Sequence, residues 1–276
     1  MGHRMKYYLD IVSDTHNGHK DIHIPAPDLV PGDVWIFLHA GDYTYYGREE
    51  ETEKFVEWVR HLPHQYKVVI DGNHECMHDR EWVNNQRAAL QTQIDEEWCE
   101  PIRNVLLKRR KAIKHVDPEL AFGYYANFLN DEATTIQGLK IYGNPRSLEF
   151  FDWAFPLKRE GTEEYWRNCI PKDADVVLVH GPPKWLGDRC PDMKHRDKMV
   201  FVGDEGLRTV LEEVKPAVCA YGHIHEGRGV EMLGNTVCVN ASFMDGDYKP
   251  VNLFTRLVLS EDKKLLKVED VSTLAY

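Results

Sequence analysis

The segment Asp71-Gly72-Asn73-His74-Glu75 constrains the fold most, because it directly follows the apolar run Tyr66–Ile70. Such a run is typical of a buried strand. The two together predict a strand that ends in a glycine turn carrying an amide, an imidazole and a carboxylate. In α/β proteins, ligands bind beyond the carboxyl ends of the strands. We therefore expect the chemistry of this protein at the turn.

The same arrangement recurs after four other β-rich runs, at 7–12, 34–38, 175–179 and 217–221. The polar side chains that follow them are Asp14 and His16, then Asp42, then His180, and finally His223 and His225. An amphipathic helix predicted over Glu49–Leu62 separates two of the strands and makes a β-α-β unit, which implies parallel strands. Five strand ends therefore carry Asp, His and Asn side chains.

A chain of 276 residues with 42% hydrophobic and 11% aromatic residues can bury a large core. We predict one α/β domain spanning residues 1–276, with a helical insertion at 76–135 that packs over the mouth of the site. Pro101 is expected to divide this insertion into two helices. A further helix is predicted to begin after Asp204 as its N-cap. The late strands 236–240, 252–259 and 265–268 lack intervening helices and predict an antiparallel sheet packed on the first.

Composition and charge exclude several classes of protein. No apolar run approaches the ~18 residues of a membrane span. The N-terminal residues 1–6 lack the pattern of a signal peptide. The six cysteines are scattered without a C-x-x-C pair, which favours reduced thiols and a cytoplasmic protein. A net charge of −11 argues against broad nucleic-acid binding, so no stable nucleic-acid complex and no membrane partner are expected.

The polar side chains at the strand ends form a set of metal donors that contains no sulfur. Such donors suit Mn, Fe, Zn or Mg better than copper. Residues two apart on a strand face the same side, so Asp14 and His16 can share one ion, and His223 and His225 have the same spacing. The set exceeds the needs of one ion, which favours two divalent ions with a bridging carboxylate. The predicted metal ligands are Asp14, His16, Asp42, Asn73, His180, His223 and His225.

Two neighbouring divalent ions suit the hydrolysis of phosphoesters, because they activate water and clamp the phosphoryl oxygens. His74 is the candidate for protonating the leaving alkoxide or binding the transition-state oxygens. It would act with Asn73 beside it and with Asp42, the proposed bridge. Asp71 and Glu75 are expected to orient their neighbours.

Two sets of residues leave alternatives open around this site. His19 and His23 lie in a proline-rich loop after the first strand and are either exposed loop residues or substrate contacts. Arg146 follows the strand predicted at 139–143 and either binds phosphate or makes a structural pair.

Two side-chain clusters are also ambiguous. The aromatic residues Phe150, Phe151, Trp153 and Phe155 either pack as core or lid or offer a stacking surface for a base. The basic run Lys108–Lys111 either contacts phosphate or, as we favour, forms a solvated helix face.

The motifs together resemble the calcineurin-like metallophosphoesterases, whose pattern is D-x-H, G-D, G-N-H-[DE], H and G-H-x-H. Each occurs here in that order, at Asp14–His16, Gly41–Asp42, Gly72–Glu75, His180 and Gly222–His225. The stretches Ile141–Pro145, His180–Pro183, His223–Gly227 and Asn240–Ser242 are similar to the metallophosphoesterase-domain-containing (MPPED-type) class III phosphodiesterases.

The resemblance implies a four-layer sandwich of two mixed sheets flanked by helices. It also implies that Asp42 is shared by two ions: one is held with Asp14, His16 and His225, the other with Asn73, His180 and His223. The implied substrates are 2′,3′- or 3′,5′-cyclic nucleotides, with Mn²⁺ as the first choice of metal. The segment 76–135 departs from that branch, which leaves substrate specificity open. A nuclease, a phosphomonoesterase and a non-catalytic interaction module are the alternatives, and the oligomeric state stays open.

Overall fold

A computed structural model describes residues 4–195 and 197–270. Residues 1–3, Arg196 and residues 271–276 lie outside the described residues, and with them both ends of the predicted domain. Among the described residues, no helix is long and apolar enough to cross a membrane.

The chain order of the elements alternates strands and helices in the first half and becomes strand-rich in the second. The helices are α1 Glu49–His61, α2 Arg80–Glu96, α3 Glu100–Ala112, α4 Pro118–Phe122, α5 Thr162–Cys169 and α6 Glu205–Val214. The strands are β1 Lys6–Val12, β2 Val34–Ala40, β3 Tyr66–Ile70, β4 Asn127–Phe128, β5 Glu132–Ile136, β6 Leu139–Asn144, β7 Ser147–Leu148, β8 Pro156–Leu157, β9 Val176–Val179, β10 Arg189–Pro191, β11 Met199–Phe201, β12 Val218–Tyr221, β13 Gly229–Leu233, β14 Thr236–Asn240, β15 Thr255–Ser260 and β16 Leu265–Asp270.

Two six-stranded mixed sheets form the centre of the molecule. The first has the order β16-β15-β1-β2-β3-β4, in which β1 to β4 run parallel and β15 and β16 are antiparallel additions. The second has the order β13-β14-β12-β9-β6-β5, in which β14, β12, β9 and β6 run parallel. Each sheet thus has a parallel centre, and the carboxyl ends of its central strands share one edge.

The two sheets pack face to face, and helices cover their outer faces. The core between the sheets joins side chains such as Leu9 and Ile36 of the first sheet to Ile141 and Leu178 of the second. A second cluster lies on the outer face of the first sheet with Phe55 of α1, and a third covers the second sheet with α5 and α6. The architecture is therefore the expected four-layer α/β sandwich.

Local sequence accounts for the helix boundaries. Asp204 caps α6, because its carboxylate accepts the backbone N–H groups of Gly206 at 2.8 Å and Leu207 at 3.2 Å. Pro101 lies in the first turn of α3, where its missing N–H costs nothing, so the predicted division into two helices at this proline is confirmed.

Two predictions about architecture need correction. The helices of the segment 76–135 end at Phe122, and the rest contributes β4 to the first sheet and most of β5 to the second. The late strands do not form a sheet of their own: β14 pairs in parallel with β12, whereas β15 pairs with β1. A short apolar run in the sequence does not indicate which strand it pairs with, because strand pairing depends on side-chain burial in the assembled sheet.

Candidate metal centre

The carboxyl ends of the two sheets bring the predicted ligands together at one place. Asp14, His16 and His225 have ligand atoms within 4.8 Å of one another, and so do Asp42, His180 and His223. A third group, His16, Asp42 and His74, connects these two. Residues from both sheets contribute to the first two groups, so the centre exists only when the sheets are packed.

The backbone at the centre is left-handed at several ligands, with φ of 52° at Asp14, 37° at His16, 57° at Asp42 and 67° at His223. Such a backbone does not determine which side residues two apart face: Asp14 and His16 lie in one donor group, whereas His223 and His225 do not. His223 accordingly lies with Asp42, whereas His225 lies with Asp14. His223 and His225 therefore lie in different donor groups, contrary to the prediction from their spacing.

Backbone carbonyls fix the orientation of four imidazole rings at the centre. In each ring Nδ1 donates to a carbonyl, which turns Nε2 toward the centre, where it would bind a metal ion once any proton on it has left. The pairs are His16 with Thr44 at 3.2 Å, His74 with Tyr45 at 3.2 Å, His180 with Ala40 at 2.9 Å and His225 with Asp245 at 2.8 Å.

The inward-facing atoms fit cations. Nε2 of His16 lies 3.4 Å from Nε2 of His225, which in turn lies 3.4 Å from Oδ1 of Asp14. Burial lowers the pKa of His16 to about 3, so this ring is neutral at physiological pH. Burial lowers the pKa of His225, but Asp14 outweighs burial and raises it to about 9, so a proton on His225 lies among these atoms, and a divalent ion would take its place. This donor set thus suits a divalent ion such as Mn²⁺, Fe²⁺ or Zn²⁺.

Asp42 faces both donor groups. Its Oδ2 lies 3.3 Å from Nε2 of His180 and 3.9 Å from Nε2 of His16, and Nε2 of His180 is 2.9 Å from Oδ1 of Asn73. Burial disfavours the charged form of Asp42, but His180 and His74 hold its pKa well below the usual range. Asp42 is thus an ionised carboxylate that belongs to two of the donor groups.

Two acidic side chains behind the predicted ligands hold the loops in place. Glu75 accepts four hydrogen bonds, from Asp42 N at 2.9 Å, Gly72 N at 2.7 Å, and the N and Oγ1 of Thr44 at 2.8 and 2.9 Å. Burial, Asp42 and Asp71 raise the pKa of Glu75 well above its usual value, and its four hydrogen bonds join the loops after β2 and β3. Asp71 accepts from Tyr43 at 2.6 Å and His78 at 2.9 Å.

Two glycines of the motifs leave room for the ligands. A Cβ at position 72 would lie 2.3 Å from Oδ1 of Asp42, and a Cβ at position 222 would lie 2.0 Å from Oδ2 of Asp14. Any larger residue would displace a ligand carboxylate. The motifs therefore require glycine because of tertiary contacts.

The aromatic cluster divides between its two predicted roles. Phe155 is buried, and Trp153 stacks on the imidazole of His74 with ring centroids 4.1 Å apart and an interplanar angle of 24°. Phe150 is 45% exposed, and its ring centroid lies 6.4 Å from that of His223. Trp153 therefore packs against the site, whereas Phe150 packs edge-to-face with the exposed Phe151 at a centroid distance of 4.5 Å and stays partly exposed.

A cleft of 910 Å³ opens beside the centre. His223 and His225 form its floor, and Arg146, Phe150, Arg159 and Met193 lie in its walls. Tyr248 also lines the cleft, with its ring 4.9 Å from that of His16. The sequence carried no signal for Tyr248, because this residue lies in an irregular loop that only tertiary packing brings to the centre.

The remaining candidate residues lie in different surroundings. Nη1 of Arg146 donates to the Pro156 carbonyl at 3.2 Å, and this side chain also borders the cleft. His19 is buried 5.2 Å from the ring of Phe55, and His23 is exposed. Neither histidine lines the cleft, so the structure does not bring them together with the ligands as predicted substrate contacts. The basic run Lys108–Lys111 forms a mostly exposed face of α3, as favoured.

The fold and the two donor groups together define a metallophosphoesterase. Residues 8–227 match the model of the calcineurin-like phosphoesterase family, and the chain belongs to this family.

Several relatives are similar over most of this chain. Metallophosphoesterase domain-containing protein 1 of Homo sapiens is 36% identical over 245 residues, which cover 87% of this chain and 67% of that protein. UPF0046 protein K07C11.7 of Caenorhabditis elegans is 30% identical over 240 residues, 85% of this chain and 70% of that protein. One solved structure superimposes with a TM-score of 0.53 at 15% identity, over 97% of this chain and all (100%) of the other, which supports the fold.

Proposed function

We propose that this protein is a phosphodiesterase that uses two divalent metal ions, with Mn²⁺ as the first choice, to hydrolyse small nucleotide phosphodiesters such as 2′,3′- or 3′,5′-cyclic nucleotides. The observation that carries the proposal is Asp42, whose carboxylate faces both donor groups. Asp14, His16 and His225 would hold one ion with it, and the other would be held with Asn73, His180 and His223.

When bound, such ions supply Lewis acidity and lower the pKa of water. The protein supplies the positioning of proton transfer. His74 belongs to the group that connects the two sites, and its Nδ1–H is committed to the carbonyl of Tyr45. Its Nε2 is therefore the atom that exchanges a proton with the leaving alkoxide.

The cleft supports a substrate of nucleotide size. The exposed ring of Phe150 beside His223 gives a face on which a base would stack. Arg146 and Arg159 line the same cleft and offer guanidinium groups to an anionic substrate. The net charge of −11 disfavours long nucleic acids, whose binding depends on many phosphate contacts.

The proposal also includes a cytoplasmic location. All six cysteines are unpaired within the described residues, which fits a reducing compartment.

Product analysis by mass spectrometry tests the proposed reaction. The protein with Mn²⁺ is offered 2′,3′- and 3′,5′-cyclic nucleotides, linear dinucleotides and phosphomonoesters. Asp42→Asn is the inactive comparison, and His61→Asn, on the exposed face of α1, is the matched control. We expect one class of cyclic nucleotide to be opened, with most of the turnover lost in Asp42→Asn alone. Turnover of phosphomonoesters only, or equal turnover by Asp42→Asn, would refute the proposal.

A further inference from the structure

Helix α3 exposes an apolar face that the molecule itself does not cover. Its buried side, represented by Leu106, packs with Leu90 and Ile94 of α2. Ile102 and Val105 are 49% and 56% exposed, and Trp98, two residues before the helix, is 89% exposed. The spacing of three residues puts Ile102 and Val105 in one stripe of α3, and Trp98 precedes this stripe in the connection between α2 and α3.

The two ends of this stripe carry opposite charges. Asp95, Glu96, Glu97 and Glu100 lie at its beginning, and the basic run Lys108–Lys111 lies at its end. None of these eight residues forms an ion pair with another part of the chain that the structure describes. The surface formed by α3 and the end of α2 therefore presents an acidic end with Asp95 and Glu96 of α2, an apolar middle and a basic end, none of them ion-paired within the described residues.

We propose that α3 is the self-association surface of this protein, and that two copies pair antiparallel through it about a two-fold axis. Such an axis midway between Ile102 and Val105 sets each of these residues opposite the other in the partner copy. The acidic end of each copy then meets the basic end of the other. A two-fold interface needs one self-complementary surface, and this charge order provides it in the antiparallel arrangement alone.

The charge order favours a second copy over a membrane surface. An anionic bilayer would attract Lys108–Lys111 but repel the four carboxylates at the other end of the stripe.

The interface is small, because a helix of 13 residues is about 20 Å long. We therefore expect a weak dimer with a dissociation constant on the order of 10 μM, typical of small transient interfaces.

Sedimentation equilibrium of the full chain tests the proposal over protein concentrations from about 1 to about 200 μM, chosen to bracket that dissociation constant. The double variant Ile102→Ser with Val105→Ser should weaken association at least about tenfold, since it removes the apolar contact. Leu120→Ser is the matched control, because Leu120 is 83% exposed on α4, outside the stripe. A monomeric wild type at every concentration, or an unchanged dimer in the double variant, would overturn the inference.

Charge reversal in two separate chains distinguishes the antiparallel pairing from any other use of the stripe. One chain carries Lys108→Glu and Lys111→Glu, and the other carries Glu96→Lys and Glu100→Lys. Each alone should associate more weakly than wild type, because the substituted end of each chain then carries no net charge, whereas a mixture should form a heterodimer. If the mixture stays monomeric while wild type dimerises, the antiparallel arrangement is wrong. Circular dichroism confirms that each variant keeps its helices.

Discussion

The imidazole of His74 is held from two sides at the centre. The Tyr45 carbonyl accepts its Nδ1–H at 3.2 Å, and the indole of Trp153 covers its face. Trp153 is itself fixed by its neighbours: Ala154 N donates to the Asn73 carbonyl at 3.2 Å, and Trp82 Nε1 donates to the Asp152 carbonyl at 2.7 Å. Trp153 thus positions a proposed proton carrier without bearing a reactive group.

Replacing Trp153 by alanine should lower kcat by about tenfold and change KM little, because a loosened imidazole misplaces the proton transfer. Trp153→Phe should restore most of kcat, since phenylalanine keeps an aromatic face against the ring. Steady-state kinetics at a fixed Mn²⁺ concentration measures both constants, and metal analysis verifies that the loaded ion content is unchanged. A kcat of Trp153→Ala equal to that of wild type would show that stacking does not matter.

At the scale of elements, the buried Asp10 ties three parts of the first sheet together. Asp10 lies on β1. Its carboxylate accepts hydrogen bonds from Arg256 of β15 at 2.6 and 2.8 Å and from Trp35 of β2 at 2.7 Å, and it lies 3.0 Å from Nε2 of His64. Arg256 also donates to the carbonyl of Pro25 at 2.7 Å and thereby anchors the proline-rich loop. Asp10 therefore connects the antiparallel edge of the sheet to its parallel centre.

Asp10→Asn should destabilise the fold by about 3–5 kcal/mol at pH 7, because it leaves Arg256 buried without its countercharge. Burial disfavours the charged carboxylate, but Arg256 and His64 outweigh burial and lower the pKa of Asp10. Its stabilising effect is therefore complete above the unfolded pKa of about 4 and is lost as the pH falls below it. Urea denaturation at pH 7 and at about pH 3 measures the free energy of unfolding of both proteins. The difference in this free energy between the variant and wild type should be smaller at the lower pH. An equal difference at both would contradict this account.

At the scale of the whole molecule, the centre joins the two sheets. Asp14, His16, Asp42 and Asn73 follow strands of the first sheet, whereas His180, His223 and His225 follow strands of the second. A metal ion bound there favours the packed state of the two sheets, because the unfolded chain does not bring these ligands together.

Mn²⁺ at about 100 times its dissociation constant should stabilise the protein by about 2.7 kcal/mol for one site and raise Tm by about 5–10 °C. Asp42→Asn should lose most of this rise, because Asp42 contributes to both donor groups. Thermal unfolding with and without Mn²⁺ measures the shift, and His61→Asn serves as the control that keeps it. The same rise in Asp42→Asn as in wild type would exclude Asp42 as a shared ligand.

Much of the fold and of the centre could be predicted from the sequence. The runs that form β2, β3 and β12 are apolar except for His39 in β2 and Lys67 in β3, and such runs indicate buried strands by their own side chains. The motif residues directly follow these runs, so their place at one edge of the sheets follows from the strand ends. The capping of α6 by Asp204 is equally local.

Only the tertiary structure decided the remaining features. The division of His223 and His225 between the two donor groups follows from a left-handed backbone at His223 and from its hydrogen bond to Asp14 at 3.0 Å. The stacking of Trp153 on His74 and the approach of Tyr248 to His16 join residues far apart in the chain. The strands could be predicted from the sequence because their burial depends on their own apolar side chains. The approach of Trp153 to His74 and of Tyr248 to His16 arises only when the two sheets pack, since no local interaction determines it.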